Sequence, residues 1–380
     1  MSGTRYWPAL DGLRGLAILL VIPHNLDAFD SNRSFEWLPA AISHIGWIGV
    51  QIFFVLSGFL ITGQLLAARG TRNYLSSFFG RRALRILPLY YLSLIIALIV
   101  VPALVRLPPE VLATHDQQLW LWLFLNNWTQ PFFGEVSGFP HYWSLAVEEQ
   151  FYLVWPFVVM FAGGGRKLLA VCVVAAIAAL AARAVAMSAD LPANATYMWT
   201  VCRMDALTTG AAAAVIARDH NGLLARKGVV NLLWWSSLAS LAAAVLVTHT
   251  FDLHSPVTVL VGYPLLALVT AALILVCLDR RGVLLPDLVR SVLSLPALRS
   301  VGRYSYAMYI AHKPLQVLLG EPLRNILAKA GLHSPYWYVG LFIVLTYLVG
   351  MASYMLIERH FLKLKAYLKP VRDDVHAHHA

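Results

Sequence analysis

Residues 141–156 read HYWSLAVEEQFYLVWP, and this stretch decides the fold. Two adjacent carboxylates, Glu148 and Glu149, lie in a run that stays apolar as far as Ala162. The run has about the 20 residues that a helix needs to cross a bilayer. A single charge near the middle of a membrane costs at least about 3 kcal/mol. Two neighbouring carboxylates therefore require partners, protonation or water, and the rest of the chain is expected to supply them.

The composition predicts an all-α protein, a polytopic membrane helical bundle. The 380 residues are 59% hydrophobic and 13% charged, whereas soluble domains have about 25% charged residues. The net charge of +10 does not indicate nucleic-acid binding, because the basic residues fall in short loops between apolar runs, where positive charge sets membrane topology.

Charge also predicts the topology. Apolar segments occur near residues 10–28, 44–66, 84–105, 142–163, 168–187, 198–217, 229–249, 256–278, 303–320 and 337–359. A further segment, 119–133, is short and polar, and we expect it at the outer interface or as a re-entrant piece. The basic loops then share one side, which predicts about ten transmembrane helices with both termini in the cytoplasm. Residues 1–370 are expected to form this domain, and 371–380 a disordered tail.

The three cysteines predict neither a disulfide framework nor a metal site. Cys172, Cys202 and Cys277 all lie in apolar runs, without the spacing of metal ligands. We expect them to fill small spaces between helices, and we expect no metal and no permanently bound cofactor.

The first span carries Arg14 and His24. The histidine lies ten residues further along, about 15 Å deeper on a regular helix. A neutral imidazole at mid-membrane is a candidate general base; the alternative is a histidine hydrogen-bonded inside the bundle. Pro23 removes a backbone hydrogen bond beside it and leaves the direction of the ring open.

Arginines and small residues mark the second and third spans. Arg82 and Arg85 are three residues apart and share a helix face, which suits a phosphate or pyrophosphate. The alternative is topogenic charge that contacts lipid headgroups. Gly49, Ser57 and Gly58 in the second span indicate close helix packing.

Later polar residues are few. Arg203 and Asp205 are two apart and cannot share a helix face, so each is expected to meet another helix, and the role of Asp205 is open between structure and site. His312 lies at about mid-depth. His141 is two helical turns from Glu148 on the same face, at the outer mouth, where it could meet an acceptor or solvent. Six ionisable groups at similar depth predict one polar cavity: His24, Glu148, Glu149, Arg203, Asp205 and His312.

An ordered set of stretches resembles the acyltransferase 3 family of integral membrane acyltransferases. The stretches are 10–17 (LDGLRGLA), 49–61, 82–91, 143–156, 203–210, 305–314 and 357–359. The resemblance implies transfer of an acyl group, usually acetyl from acetyl-CoA, to a hydroxyl of a carbohydrate or related acceptor. It also implies that Arg14 and His24 serve the catalytic centre, and that Arg82 and Arg85 serve the CoA phosphates from the cytoplasm.

The chain departs from the family in one spacing. The family has ten residues between this arginine and this histidine, whereas nine separate Arg14 from His24, and Asn25 occupies the usual position. Eleven helical steps return a side chain to within about 20° of its starting direction, whereas ten leave it about 80° off. Either Pro23 distorts the turn enough to restore the aim, or His312 is the base.

These observations predict a membrane-embedded O-acyltransferase, multi-pass in a bacterial inner (plasma) membrane. Acetyl-CoA, or another acyl-CoA, is the expected donor substrate, held by Arg14, Arg82 and Arg85. His24 would accept the hydroxyl proton, oriented by Glu148 or Glu149. The acceptor would be a carbohydrate or glycolipid, met by His141, Trp143, Arg203, Asp205 and His312. The alternative is a proton-coupled transporter that uses the same buried His/Glu/Asp network, but it does not explain Arg82 and Arg85.

Overall fold

Long helices make up the chain in the computed structural model, which describes residues 7–26, 28, 43–106, 109–218, 229–248, 252–278 and 284–371. Every regular element in these ranges is helical, and no strand occurs within them. This confirms the predicted all-α bundle. Helices prevail because a segment inside a bilayer must satisfy its own backbone hydrogen bonds.

Ten helices of at least 16 residues lie in the described ranges and are numbered here in chain order. They are α1 (Pro8–Leu26), α2 (Ile48–Ala68), α3 (Tyr74–Ile95), α4 (Trp143–Ala162), α5 (Arg166–Ser188), α6 (Thr200–Arg218), α7 (Val229–Thr248), α8 (Tyr263–Leu278), α9 (Pro296–Lys329) and α10 (Pro335–Ser353). Shorter helical pieces include Val101–Leu104, Pro109–Ala113, Gln118–Trp122, Asn126–Phe133, Ala193–Met198, Leu284–Leu293 and Arg359–Leu364.

Seven helical stretches in the described part of the chain are long and apolar enough to cross a membrane. They are Pro8–Leu26, Ile45–Ala68, Tyr74–Leu104, Pro140–Ala162, Arg166–Ser188, Thr258–Leu278 and Pro335–Leu368. The chain is therefore a multi-pass membrane protein. The count of ten spans and the cytoplasmic placement of both termini stay predictions.

Helix α5 shows the outer surface that a bilayer would cover. Val173, Val174 and Ile177 are each more than half exposed. Apolar side chains in contact with lipid need no burial inside the protein. The interior of the bundle, by contrast, holds the polar residues described below.

Glycines bring two helix pairs into backbone contact. A Cβ on Gly302 of α9 would lie 1.8 Å from the carbonyl oxygen of Asp11 in α1. A Cβ on Gly58 of α2 would lie 1.8 Å from the carbonyl oxygen of Leu207 in α6. Only glycine fits such crossings, and the predicted close packing at Gly58 is confirmed.

Segment 119–133 does not cross the bundle. It forms the short helices Gln118–Trp122 and Asn126–Phe133, with a turn between them in which Phe124 has φ 54°. Neither helix approaches the length of a span, as predicted. Trp128 donates a hydrogen bond to Gln150 of α4 at 3.0 Å, which ties this segment to the bundle.

Some sequence predictions concern residues outside the described ranges. These are the tail 372–380 and parts of three loops, which lie between the apolar segments 10–28 and 44–66, 198–217 and 229–249, and 256–278 and 303–320. Val371, at the edge of the predicted tail, is held: its amide donates to Oδ1 of Asn73 at 2.8 Å.

Candidate active site

A cavity of about 100 Å³ lies inside the bundle where α1, α2, α3, α4 and α9 meet. That space is enough for several water molecules. Its polar lining comes from Arg14, Ser57, Arg82, Arg85, Ser144, Glu148, Glu149, Tyr152, Ser305, Tyr306 and Tyr309. The structure thus brings together the three arginines and both glutamates that the sequence predicted for one site.

Local helix geometry explains how these side chains converge. Arg82 and Arg85 share a face of α3, as their spacing predicts. Glu148 and Tyr152 are one turn apart on α4, so both point into the cavity. Arg14 precedes Gly15, which packs against the backbone of α9. The close contact of α1 with α9 therefore fixes the position of the Arg14 backbone.

A hydrogen-bonded network joins α4 to α2 across the cavity. The Tyr152 hydroxyl donates to Oε2 of Glu148 at 2.7 Å, and Ser57 Oγ is hydrogen-bonded to the same hydroxyl. The Arg82 guanidinium lies 5.7 Å from the centre of the Tyr152 ring, within cation–π range. Arg82 also donates to Gln64 at 2.8 Å. These contacts orient one carboxylate and one guanidinium toward the same space.

The cavity carries an excess of positive charge. Arg14 has one carboxylate neighbour, Asp11, at 3.7 Å. Glu149 Oε1 is buried and accepts no hydrogen bond from the part of the chain described. Because the three guanidiniums outnumber the two glutamates in the lining, an anionic group would be attracted there, and guanidinium is the cation best matched to phosphate.

The cavity ends at Tyr309, and two histidines lie beyond it. The Tyr309 hydroxyl donates to the carbonyl oxygen of His141 at 2.9 Å and lies 2.5 Å from Ser144 Oγ. The rings of His141 and His312 have centroids 4.3 Å apart, and both residues are buried.

The tautomer of His312 follows from its neighbour. Its Nδ1 lies 2.7 Å from the carbonyl oxygen of Tyr309. A carbonyl oxygen can only accept, so Nδ1 carries the proton and Nε2 carries the lone pair. Neither Nε2 of His312 nor the nitrogens of His141 find a partner among the described residues. Such buried polar groups call for water or a ligand.

His24 lies apart from the cavity, in the last turn of α1. Its Nδ1 lies 2.8 Å from the carbonyl oxygen of Ser43 and therefore carries the proton. Pro23 lies within an unbroken helix. Asn25 occupies the family's usual position for the histidine. Its main-chain carbonyl oxygen accepts a hydrogen bond from Nζ of Lys313 at 2.9 Å.

Arg203 and Asp205 do not line the cavity. Each meets another helix, as predicted: Asp205 pairs with Arg183 at 2.8 Å, and Arg203 is hydrogen-bonded to Gln51. The Arg203 guanidinium also lies 4.5 Å from the ring centre of Tyr263. All three charged residues are buried.

Trp143 packs in the same cluster of side chains as Arg203. Its ring lies 4.6 Å from that of Tyr197 and 5.9 Å from that of Phe54, which lines the cavity. Trp143 and Arg203 therefore support the cavity wall from behind. The prediction that six ionisable groups share one cavity is wrong: of the six, only Glu148 and Glu149 line it.

The sequence does not assign the hydroxyl-bearing residues of the described cavity lining to the site. They are Ser57, Ser144, Tyr152, Ser305, Tyr306 and Tyr309. Tyr152 carried a usable signal, because it lies one helical turn from Glu148. The sequence alone indicates only a small packing residue at Ser57. No group of three metal-ligating side chains occurs among the residues that the structure describes.

Fold and cavity together define a multi-pass helical membrane protein with a cation-rich internal site. A family model described as an acyltransferase domain matches residues 7–355. The chain belongs to this acyltransferase family, which confirms the resemblance found in the sequence.

Named relatives share this domain. The chain is 31% identical over 374 residues to YrhL of Bacillus subtilis (strain 168), whose name proposes a peptidoglycan O-acetyltransferase. It is 26% identical over 379 residues to the peptidoglycan O-acetyltransferase OatA of Listeria monocytogenes. It is 27% identical over 378 residues to the O-acetyltransferase OatA of Staphylococcus aureus (strain NCTC 8325).

The matches cover 93%, 93% and 94% of this chain but 55%, 55% and 57% of the relatives. The chain thus spans about half the length of the curated relatives it matches. No solved structure matches it significantly.

Proposed function

We propose that the protein is an O-acyltransferase of a bacterial inner membrane that moves acetyl from cytoplasmic acetyl-CoA to a hydroxyl of a cell-envelope carbohydrate. Membership of the acyltransferase family supports acyl transfer. The names of the relatives support acetyl as the group and peptidoglycan as the acceptor class. The observation that carries the proposal is the convergence of Arg14, Arg82 and Arg85 with two glutamates in one cavity.

The arginines bind the donor in this proposal. Arg82 and Arg85 lie on α3 toward the predicted cytoplasmic end and would hold the phosphates of CoA. Bidentate guanidinium contacts fix the orientation of phosphate, so the thioester would be directed inward toward Glu148 and Tyr152. A cavity of about 100 Å³ suits a short acyl group. The arginines thereby supply proximity to the reaction.

The acceptor hydroxyl needs a base because an alcohol is a weak nucleophile at neutral pH. We assign this role to His24 from the family resemblance: its Nδ1 carries the proton that is directed at the Ser43 carbonyl, so the neutral ring accepts at Nε2. Because His24 lies outside the cavity lining, this assignment requires the thioester to extend from the arginines along α1 as far as the last turn of that helix. The hydroxyl oxygen attacks the thioester carbonyl carbon, the C–S bond breaks, and the proton passes from the hydroxyl through the imidazole to the CoA thiolate. Bond formation and bond cleavage then balance without a further reactant.

His312 is a second candidate for the base. It is favoured by its buried Nε2, which has no partner in the described part of the chain, and by its position directly behind Tyr309. Arg203, Asp205 and Trp143 are proposed as positioning residues that hold the wall at Phe54. His141 would then be the acceptor-side contact nearest the cavity.

Labelled acetyl transfer tests the proposal. Membranes that contain the protein would be incubated with labelled acetyl-CoA and cell-wall glycan fractions, and base-labile label in the glycan would be measured. Arg85→Ala should raise the KM for acetyl-CoA at least roughly tenfold, because a charge-assisted phosphate contact contributes about 1.5 kcal/mol or more.

Arg81→Ala is the matched control, because Arg81 neighbours Arg82 on α3 and does not line the cavity. It should transfer acetyl as the wild type does. Unchanged donor dependence in Arg85→Ala would refute the donor assignment. If proteoliposomes show proton flux but no acetyl transfer from any donor, the protein is a proton-coupled transporter and the proposal is wrong.

A further inference from the structure

A second, larger cavity lies at the end of the bundle where α2 ends, α5 begins and α6 ends. Its volume is about 400 Å³. Three arginines from three separate segments line it: Arg69 follows α2, Arg166 starts α5, and Arg218 ends α6. Among the described residues that line it, none carries a carboxylate. The cavity is therefore a basic recess.

This recess is separate from the candidate active site. Ser57 and Leu66 both belong to α2 and line the first and second cavity respectively. They are nine residues apart, which is two and a half helical turns, so their side chains leave opposite faces of the helix. The two cavities share no lining residue. A ligand of the second would leave the first accessible.

The glycine turn between α4 and α5 leaves room for the Arg69 side chain beside the recess. Gly163 and Gly165 have φ of 76° and 62°. A Cβ on Gly163 would lie 2.9 Å from Nη2 of Arg69, so this guanidinium rests on the turn because glycine leaves room for it.

The start of α5 adds backbone donors. Helix α5 has 23 residues, and its cap residue Gly165 provides no side-chain hydrogen bond. The first amides of a helix lack partners within the helix and attract anions. Arg218 is held in place at the opposite wall, where it donates to the carbonyl oxygen of Gly63 at 3.1 Å.

The other half of the recess is apolar and leads outward. Leu66, Leu169 and Val215 line it. Leu169 lies on the same face of α5 as Val173 and Ile177, at successive steps of four residues. Val173 is 57% and Ile177 62% exposed. A continuous apolar strip thus runs from the recess along the surface that the membrane covers.

We propose that this recess binds an anionic phospholipid from the leaflet at the basic end of the bundle. The phosphate contacts Arg69, Arg166, Arg218 and the first amides of α5, and one acyl chain lies on the Leu169 strip. A free phosphate matches only the basic half, whereas a lipid matches both halves. The positive-inside pattern of the sequence assigns this leaflet to the cytoplasm. The site goes beyond the proposed acyl transfer and does not depend on it.

Lipid binding to the purified full-length chain tests the proposal. Native mass spectrometry in mild detergent would compare dioleoylphosphatidylglycerol with dioleoylphosphatidylcholine, which has the same chains and a neutral headgroup. The wild type should bind the anionic lipid at least roughly tenfold more tightly. The triple variant R69Q/R166Q/R218Q should lose that preference, since it removes the positive charges that attract the anionic headgroup.

Lys167→Gln is the matched control, because Lys167 neighbours Arg166 and does not line the recess; its binding should equal that of the wild type. Inorganic phosphate at hundredfold excess should displace less than half of the bound lipid. If the triple variant fails to fold, the three single variants, each of an exposed side chain, replace it. About fivefold losses are expected for each, which corresponds to about 1 kcal/mol per basic residue. Equal binding of the two lipids, an unaffected variant, or full displacement by phosphate would overturn the lipid site. None of these results bears on acetyl transfer.

Discussion

The imidazole rings of His141 and His312 lie 4.3 Å apart, on different segments of the chain, and neither residue is accessible to solvent. Buried polar atoms without partners destabilise a fold by about 1–3 kcal/mol each. The pair therefore lowers the stability of the fold unless water or a ligand bonds to these nitrogens. Its position directly behind Tyr309 associates it with the cavity.

Replacement of His312 by leucine should separate stability from activity. The variant removes a buried nitrogen without a described partner, so thermal unfolding in detergent should occur at the same or a higher temperature. Acetyl transfer to glycan should fall at least roughly tenfold. A variant with full activity would mean that the pair is only structural.

His24→Ala should lower acetyl transfer by roughly 10²-fold or more, because the loss of a general base typically costs 10²–10⁴-fold. Its KM for acetyl-CoA should be unchanged, since the donor contacts lie about 15 Å away along α1. The wild-type rate should also fall on acidification, because a base must be neutral to accept a proton, and this dependence should vanish in the variant.

The double variant H24A/N25H moves the histidine to the spacing usual in the family. We expect it to recover less than about a tenth of the lost activity, because residue 25 lacks the contact that fixes His24 on the Ser43 carbonyl. Full recovery would show that direction relative to Arg14, rather than the Ser43 contact, determines catalysis.

Tyr152→Phe removes the hydroxyl that bridges Glu148 and Ser57 while it keeps the ring under Arg82. We expect kcat to fall roughly tenfold, as for the loss of a hydrogen bond to a charged group, and the KM for acetyl-CoA to stay within about twofold. Tyr91→Phe, on α3 and outside the cavity lining, is the matched control. If Tyr152→Phe instead raises the KM and leaves kcat normal, Tyr152 contributes to donor binding and not to the chemical step.

Asp205→Asn should destabilise the fold by about 3–5 kcal/mol, because it leaves Arg183 buried without a counter-charge. The double variant R183M/D205L should recover most of that stability. Acetyl transfer by the folded double variant should approach that of the wild type if Asp205 acts only through packing. If a folded, stable double variant loses acetyl transfer, the role of Asp205 is acceptor binding and not packing.

The sequence predicted the fold class and part of the site because membrane burial makes each charge conspicuous. Arg82, Arg85, Glu148 and Glu149 stood out against apolar surroundings, and the structure brings them together with Arg14. The position of a residue in the sequence indicates its depth along a span but not the direction in which its side chain points. The predicted depths of Arg203 and His312 are similar to that of Glu148, but the rotation of each helix directs these side chains into other clusters.

Some features of the structure have a signal in the sequence and others have none. Arg183 lies alone in the apolar run 168–187, and its cost in a membrane requires a partner, which is Asp205 in the structure. Ser57 and Tyr152 have no charge, so only their contacts in three dimensions distinguish them from packing residues.

The glycine crossings also bear on how such a protein can be re-engineered for longer acyl chains. At Gly302 with Asp11 and at Gly58 with Leu207, the spacing of neighbouring helices is determined by main chain against main chain. The framework therefore cannot be widened without separation of whole helices. Room for a larger donor must come from trimming wall side chains such as Leu60 and Ile61, while the glycines are left untouched.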